Sequence, residues 1–263
     1  MLTIYKHEMK FYIKSLLIWT LSVGGLSFMC ILLFSSLKES MAGMAETYAS
    51  MGAFSDAFGM NKLSIATLAG FYATEVGTIH GLGGAMFAAI VSMVVLSKEE
   101  DGHTSEFLYT LPVLRGKVIT AKLGAVITNI FVFNIICVCM YLLGFAILGE
   151  SVSTKEFSLF HTMQFLMQLE IAGICFGLSA CTKKNKLGVG LGVVLLLYAY
   201  DLIARVIPDL SDYKVLSPFS YANAADIFSG EKMSVVGLVI GIALLLASII
   251  TAYAVYSKRD LAA

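Results

Sequence analysis

The fold is decided by residues 123–149, which read LGAVITNIFVFNIICVCMYLLGFAILG and contain no charged side chain over 27 positions. A helix that crosses the hydrocarbon core of a bilayer needs roughly 20 mostly apolar residues. The nearest charged residues are Lys122 on one side and Glu150 on the other. This stretch therefore predicts a transmembrane helix bounded by charge at both ends.

Five further stretches are long and mostly apolar, three of them without a charged residue in their core and two interrupted by one or two charges. The sequence therefore predicts an all-α, polytopic membrane protein with six transmembrane helices. The composition agrees, because 58% of the residues are hydrophobic and only 14% are charged, against about 25% charged in a typical soluble domain. We expect a single transmembrane domain over residues 1–263, multi-pass in the cell membrane. The expected spans are residues 15–37, 76–97, 118–149, 157–182, 187–208 and 233–257.

The distribution of lysine and arginine predicts that the N and C termini are both cytoplasmic. Six spans place both termini on one side, and cytoplasmic loops carry an excess of these residues. The side with the termini holds Lys6, Lys10, Lys14, Lys98, Arg115, Lys117, Lys122, Lys183, Lys184, Lys186, Lys258 and Arg259. The other side holds Lys38, Lys62, Lys155, Lys214, Lys232 and Arg205. The whole chain is balanced, with 18 basic and 18 acidic residues, so no charge bias points to nucleic acid.

Two segments on the expected cytoplasmic side are amphipathic. Lys6, Lys10 and Lys14 recur every four residues, which predicts an amphipathic helix over 1–14 in the membrane interface; ordinary flanking charge is the alternative. Residues 98–122 read KEEDGHTSEFLYTLPVLRGKVITAK and are the most charged part of the chain. A short amphipathic helix here, with Phe107 on its apolar face, could dock into a groove on a partner, and a solvated loop without a partner is equally compatible.

Charged residues inside the expected spans are the remaining functional candidates. Glu170 lies in the fourth span with Gln164 and Gln168 nearby, and Asp201 and Arg205 are i,i+4 neighbours in the fifth. They could line a substrate path or a proton relay. For Asp201 and Arg205 a structural ion pair is favoured, whereas for Glu170 a structural and a functional role are equally compatible with the sequence.

Several kinds of chemistry lack their sequence motifs. There is no G-x-x-x-x-G-K-[ST] loop for ATP and no H-E-x-x-H motif for zinc. We therefore expect no catalytic residues and no metal site in this chain. Glycine pairs with the spacing of close helix packing occur at 173 and 177, 188 and 192, and 237 and 241.

The cytoplasmic segment and the chain's later motifs together resemble the type-2 ABC transporter permease family. Family members show a Lys-Glu pair, a Gly-Thr-x-Glu-like stretch and then Leu-Pro-x-x-Arg; here His103 is inserted before Thr104. The stretches LSPFSY at 216–221 and SKRDL at 257–261 resemble two further family segments. Carried over, the residues that the family places on the ATPase are Lys98, Glu99, Glu100, Gly102, Thr104, Glu106, Phe107, Leu111, Pro112 and Arg115.

The resemblance implies a membrane subunit of a bacterial ABC exporter that works with a separate ABC ATPase subunit. ATP and Mg²⁺ would belong to that partner, which explains the missing ATP-binding loop. A second permease subunit, either a copy of this chain or a paralogue, and membrane lipids complete the expected partners. An amphiphilic compound, a peptide or an ion is the expected cargo. The alternative is a stand-alone secondary transporter or channel that is driven by an ion gradient through Glu170.

Overall fold

The computed structural model describes residues 1–105 and 113–258 of the 263-residue chain. Within these residues the protein is helical and has no β-strand. Six helices are long and apolar enough to cross a membrane, which confirms the predicted fold class and the number of spans. They are α1 (Leu2–Ala49), α3 (Leu68–Met93), α5 (Arg115–Leu148), α6 (Thr154–Cys181), α7 (Leu187–Val206) and α10 (Val235–Lys258).

Short helices fill the connections between these six. They are α2 (Ala53–Phe58), α4 (Lys98–Asp101), α8 (Pro218–Tyr221) and α9 (Ala224–Phe228), with a 3₁₀ segment at Pro208–Leu216. Near its start, α3 contains a π-helical turn at Tyr72–Val76. A π turn inserts one extra residue per turn and is frequent at functional sites.

The first helix is continuous over the expected interfacial helix and the expected first span. It contains no proline between Leu2 and Ala49, so nothing in the sequence interrupts the hydrogen-bond ladder. Its 48 residues correspond to about 72 Å at 1.5 Å per residue, which exceeds the 40–45 Å of a bilayer with its headgroups. The helix therefore extends beyond the membrane, and an interfacial position for 1–14 stays a prediction.

Helices α1 and α5 run parallel, and their ends mark the two faces of the bundle. Glu8 lies 3.2 Å from Lys122 at their N-terminal ends, and Lys38 lies 3.1 Å from Glu150 at the other end. The 30 residues from Glu8 to Lys38 span about 45 Å of helix. This length matches a bilayer with its headgroups, so the two ion pairs lie at opposite membrane surfaces.

Helices α3 and α6 form the buried centre of the bundle, against which α7 and α10 pack. Glycines on α3 permit this approach, because a Cβ atom at Gly84 would clash with the Gln168 amide of α6. Large apolar side chains on the outward faces of α1, α5, α7 and α10 are exposed. In a membrane these faces lie against lipid or against another subunit.

The three predicted glycine pairs have different environments. Gly173 and Gly177 face α10, where backbone atoms of Leu245 and Ser248 come within 3.5 Å of the position that a Cβ atom would occupy, so close packing is confirmed there. Gly241 faces Glu170 and Tyr221. Gly188 and Gly192 have no neighbouring atom within 4 Å of the corresponding position, so the prediction of close packing was wrong for this pair within one chain.

Candidate functional site

Four buried charges tie the start of the cytoplasmic segment to two transmembrane helices. We call Glu8, Lys98, Glu99 and Lys122 the Glu8 cluster. The Lys98 ammonium lies 2.5 Å from the Glu8 carboxylate, and the Lys122 ammonium lies 3.2 Å from Glu8 and 2.5 Å from Glu99. Lys122 also donates a hydrogen bond to the Val95 carbonyl oxygen at the end of α3. The cluster therefore joins α1, α3, α4 and α5 at one point.

The Glu8 cluster is almost completely shielded from solvent. The side chains of Glu8 and Lys122 are 1% and 0% exposed, and the Lys98 ammonium lies 3.8 Å from the centroid of the Phe11 ring. Burial and the neighbouring Lys122 ammonium lower the pKa of Lys98, and the Glu8 carboxylate partly offsets this effect. The two acids balance the two bases, as buried charges require.

The sequence analysis did not identify Glu8 as a site residue. Ile4, Glu8, Tyr12 and Leu16 recur every four residues and are all buried, so Glu8 lies on the apolar face of α1. A carboxylate on such a face must find a cation or a hydrogen-bond donor. The four-residue spacing therefore indicated that Glu8 is buried and needs a partner, although it did not identify Lys98 and Lys122 as the partners.

The predicted ATPase-facing residues divide into an inward-facing and an outward-facing group. Lys98, Glu99 and Glu100 are largely buried against the bundle. The predicted residues Gly102 and Thr104 are exposed, as are their neighbours Asp101 and His103, which were not predicted. Arg115 donates a hydrogen bond to the Ser257 carbonyl oxygen at the end of α10.

Four of the predicted residues lie outside the described part of the chain: Glu106, Phe107, Leu111 and Pro112.

The exposed turn has an unusual backbone. His103, the inserted residue, has a φ of 51° and is the one non-glycine residue with positive φ in the described ranges. Thr104 closes the turn with a backbone hydrogen bond of 2.8 Å to the Glu99 carbonyl oxygen. Such left-handed residues are uncommon outside glycine and often occur at functional positions. The turn at 101–104 thus projects from a rigidly held base.

A second charged network lies at the opposite end of the bundle. The Arg205 guanidinium forms a fork on Asp201, with distances of 2.8 and 3.3 Å, and donates a third hydrogen bond of 3.1 Å to Asp226. Lys62 bridges Asp226 and Glu231 at 2.8 and 2.9 Å. The predicted Asp201–Arg205 contact is present, and it belongs to a network that joins α7 to the connections before α3 and before α10.

Charge complementarity keeps Asp226 and Lys62 of this network ionised at neutral pH. Burial alone would raise the pKa of Asp226, but the Arg205 guanidinium and the Lys62 ammonium hold it below its usual value. Burial would lower the pKa of Lys62, but its hydrogen bonds to Asp226 and Glu231 raise it. Because the folded pKa of Asp226 is depressed, its stabilising contribution is present at neutral pH and is lost as the pH falls through that value.

The three polar residues predicted in the fourth span do not form one surface. Gln168 accepts a hydrogen bond from Asn134, which also bonds His80 in the centre of the bundle. Gln164 instead donates to the Ala222 carbonyl oxygen. Glu170 accepts a 2.8 Å hydrogen bond from the Tyr221 hydroxyl. Each predicted residue therefore has its own buried partner.

Gln164 and Asp201 line a common cavity, whereas Gln168, Glu170 and Arg205 do not. The cavity has a volume of about 40 Å³, which is enough for one or two water molecules. A drug, lipid or peptide cannot pass through a space of this size. This cavity therefore does not provide a path for such a molecule through the part of the chain that the structure describes. Among the described residues, no cluster of histidine, cysteine, aspartate and glutamate could hold a metal ion.

The fold and the charged clusters define a polytopic helical membrane protein with a structured segment at one membrane surface. The family model for ABC-2 family transporter proteins matches residues 2–261, and the chain belongs to this family. No curated protein matches the chain. The chain is thus a permease component of an ABC transporter, and family membership implies association with an ABC ATPase subunit.

Proposed function

We propose that this chain is the permease subunit of an ATP-driven exporter of an amphiphilic compound, a peptide or an ion. A separate ATPase subunit would bind ATP and Mg²⁺ and hydrolyse the nucleotide, so this chain itself needs no catalytic residue. The proposal is supported chiefly by the exposed turn at 101–104, which rests on the Glu8 cluster at one membrane surface. In this proposal that surface, with both termini, is cytoplasmic.

The Glu8 cluster gives the proposed coupling step a physical route. Closure of the ATPase dimer on ATP would push the segment that includes residues 98–115. Because Lys98 and Glu99 are paired with Glu8 and Lys122 on α1 and α5, the push would move these long helices as one unit. ATP can drive such a change only by binding the closed state more tightly than the open state.

The proposed transport path lies between two permease subunits. The cavity lined by Gln164 and Asp201 is too small for such a cargo, whereas α1, α5, α7 and α10 expose large apolar side chains over most of their length. A second subunit, either a copy or a paralogue, would cover part of this surface, and lipid would cover the rest. An amphiphilic cargo could then move along the apolar seam between the subunits.

The test uses the outward-facing residues of the turn. Alanine at both Glu99 and Glu100 should uncouple transport, but Glu99 also pairs with Lys122, so that variant changes stability too. The double variant Asp101→Arg and Thr104→Arg changes only exposed side chains. Co-purification of its ATPase partner from detergent should be lost, together with transport-coupled ATP hydrolysis in nanodiscs.

The matched control reverses two exposed charges at the other membrane surface. Asp209→Arg with Asp212→Arg should leave ATPase binding and hydrolysis as in the wild type, because both residues are exposed in the segment after α7. Normal binding by the Asp101 and Thr104 variant would contradict the proposed docking surface. Equal losses of ATPase binding in the turn variant and in the control variant would show that the turn has no specific role.

The gradient-driven alternative makes a different prediction for Glu170. Glutamine at this position cannot titrate, but its carbonyl oxygen can still accept the hydrogen bond from Tyr221. In the proposed ATP-driven mechanism, Glu170→Gln should retain at least half of the transport rate in proteoliposomes. A gradient-driven mechanism through Glu170 requires loss of transport in this variant, together with transport by the wild type without ATP.

A further inference from the structure

A cavity of about 210 Å³ lies under the connection between α1 and α3, at the end of the bundle away from the Glu8 cluster. Its walls are rich in aromatic and methionine side chains, and its polar side chains are those of Tyr48, Thr74 and Glu75. The lining residues are Met41, Tyr48, Phe54, Met60, Ile65, Phe71, Thr74 and Glu75. The volume is below the roughly 300 Å³ at which pockets hold drug-sized ligands, so it fits a small molecule or the head of a larger one.

Glu75 reaches this cavity from the π-helical turn of α3. Within residues 1–105 and 113–258, no side chain forms a hydrogen bond or ion pair with its carboxylate. Every acid of the two charged networks, by contrast, has a cationic partner. Glu75 is an exposed residue that also lines the cavity, so a ligand in the cavity can reach its carboxylate, and the negative charge is complementary to a positively charged ligand.

The surrounding charges reinforce this complementarity. Residues 39–61 contain three acids, Glu39, Glu46 and Asp56, and no lysine or arginine. The lysines that flank this stretch are occupied elsewhere, since Lys38 pairs with Glu150 and Lys62 pairs with Asp226 and Glu231. No cation of these flanking segments is thus available to neutralise Glu75.

We propose that this cavity binds an organic ammonium ion, with the cationic head at Glu75 and its alkyl groups against the aromatic and methionine walls. Aromatic rings attract ammonium groups through their negatively charged faces, and Tyr48, Phe54 and Phe71 supply three such rings. Inorganic cations would gain little from these walls, which offer few oxygen ligands. If the cavity is a site for the cargo, the proposal rests on the proposed export function. It then narrows the amphiphilic cargo to cationic amphiphiles.

The test is equilibrium binding of radiolabelled benzyltrimethylammonium to the full chain in phosphatidylglycerol nanodiscs, with empty nanodiscs subtracted. The Glu75→Gln variant should bind the cation about two- to fivefold more weakly, as expected for the loss of one exposed ion pair. Glu46→Gln is the matched control, because Glu46 is exposed as Glu75 is but does not line the cavity, and this variant should bind as the wild type does.

Two further comparisons separate charge recognition from apolar burial. Neopentylbenzene has the same shape with carbon in place of nitrogen, and it should compete poorly with the cation in the wild type. Tyr48→Leu keeps an apolar wall but removes one ring, so it should weaken cation binding. Equal binding by the wild type and Glu75→Gln, or equal competition by the neutral analogue, would overturn the proposal.

The lipid composition of the nanodiscs distinguishes a free cation from a lipid headgroup as the source of the ammonium group. Two nanodiscs with the same fraction of phosphatidylglycerol keep the surface charge equal, and their remaining lipid is phosphatidylcholine in one and an uncharged glycolipid in the other. Loss of binding only with phosphatidylcholine would identify the lipid headgroup as the occupant, and equal binding would identify a free cation; both results support an ammonium site. The binding assay needs no ATPase, so cation binding can be measured even if the export proposal is wrong. Conversely, Glu75→Gln should still co-purify with the ATPase even if no cation binds.

Discussion

Replacing Lys122 with methionine should lower the free energy of unfolding by about 3–5 kcal/mol, the usual cost of removing one member of a buried ion pair. Lys122 is completely buried and contacts both Glu8 and Glu99. Methionine has a similar volume, so the packing is retained, and the loss comes from the two ion pairs and from the hydrogen bond to the Val95 carbonyl oxygen. Glu8 would keep Lys98 as its partner, whereas Glu99 would have no cation at hydrogen-bond distance.

Unfolding in mixed micelles of a mild and a denaturing detergent measures this effect. The control is Lys117→Met, which removes an exposed lysine from the same helix and should change stability by less than about 1 kcal/mol. Adding Glu99→Gln to Lys122→Met leaves the Glu8–Lys98 pair balanced and should recover part of the loss. Equal stability of the Lys122 and Lys117 variants would show that the Glu8 cluster is not a stabilising unit.

The sequence predicted the six spans because their signal is local. A run such as 123–149 has to be shielded from water wherever the rest of the chain lies. The Asp201–Arg205 pair was also predictable, since residues four apart share one face of a helix. Both features depend on residues that are close in sequence, and the structure confirms both.

Features that depend on helix packing could not be predicted in the same way. Glu99 resembles a family residue that faces the ATPase, yet its carboxylate lies 2.5 Å from the Lys122 ammonium on α5. Gly188 and Gly192 have the spacing of a helix-packing motif, but α7 turns them away from its neighbours. The direction in which a residue faces is set by the packing of helices that are distant in sequence, and one sequence does not specify it.

Replacing Arg205 with methionine, at the other membrane surface, should lower the free energy of unfolding by about as much as the Lys122 substitution does. The Asp201 side chain is 3% exposed, and Arg205 binds both of its carboxylate oxygens. The change leaves a buried carboxylate without a cation, which costs about 3–5 kcal/mol. Asp226 is less affected, because Lys62 still binds it. Arg205→Lys should recover only part of the loss, since one ammonium cannot reproduce a fork and a third hydrogen bond.

The charge-balanced double variant decides whether the effect is electrostatic. Asp201→Asn with Arg205→Met removes both charges, so it should be more stable than Arg205→Met alone in the same detergent unfolding experiment. Lys232→Met, which removes an exposed lysine before α10, is the matched control and should behave as the wild type. If the double variant is no more stable than Arg205→Met, the buried Asp201 charge is not the cause of the loss. The guanidinium would then stabilise the fold mainly by linking α7 to Asp226, the contact that both variants lack.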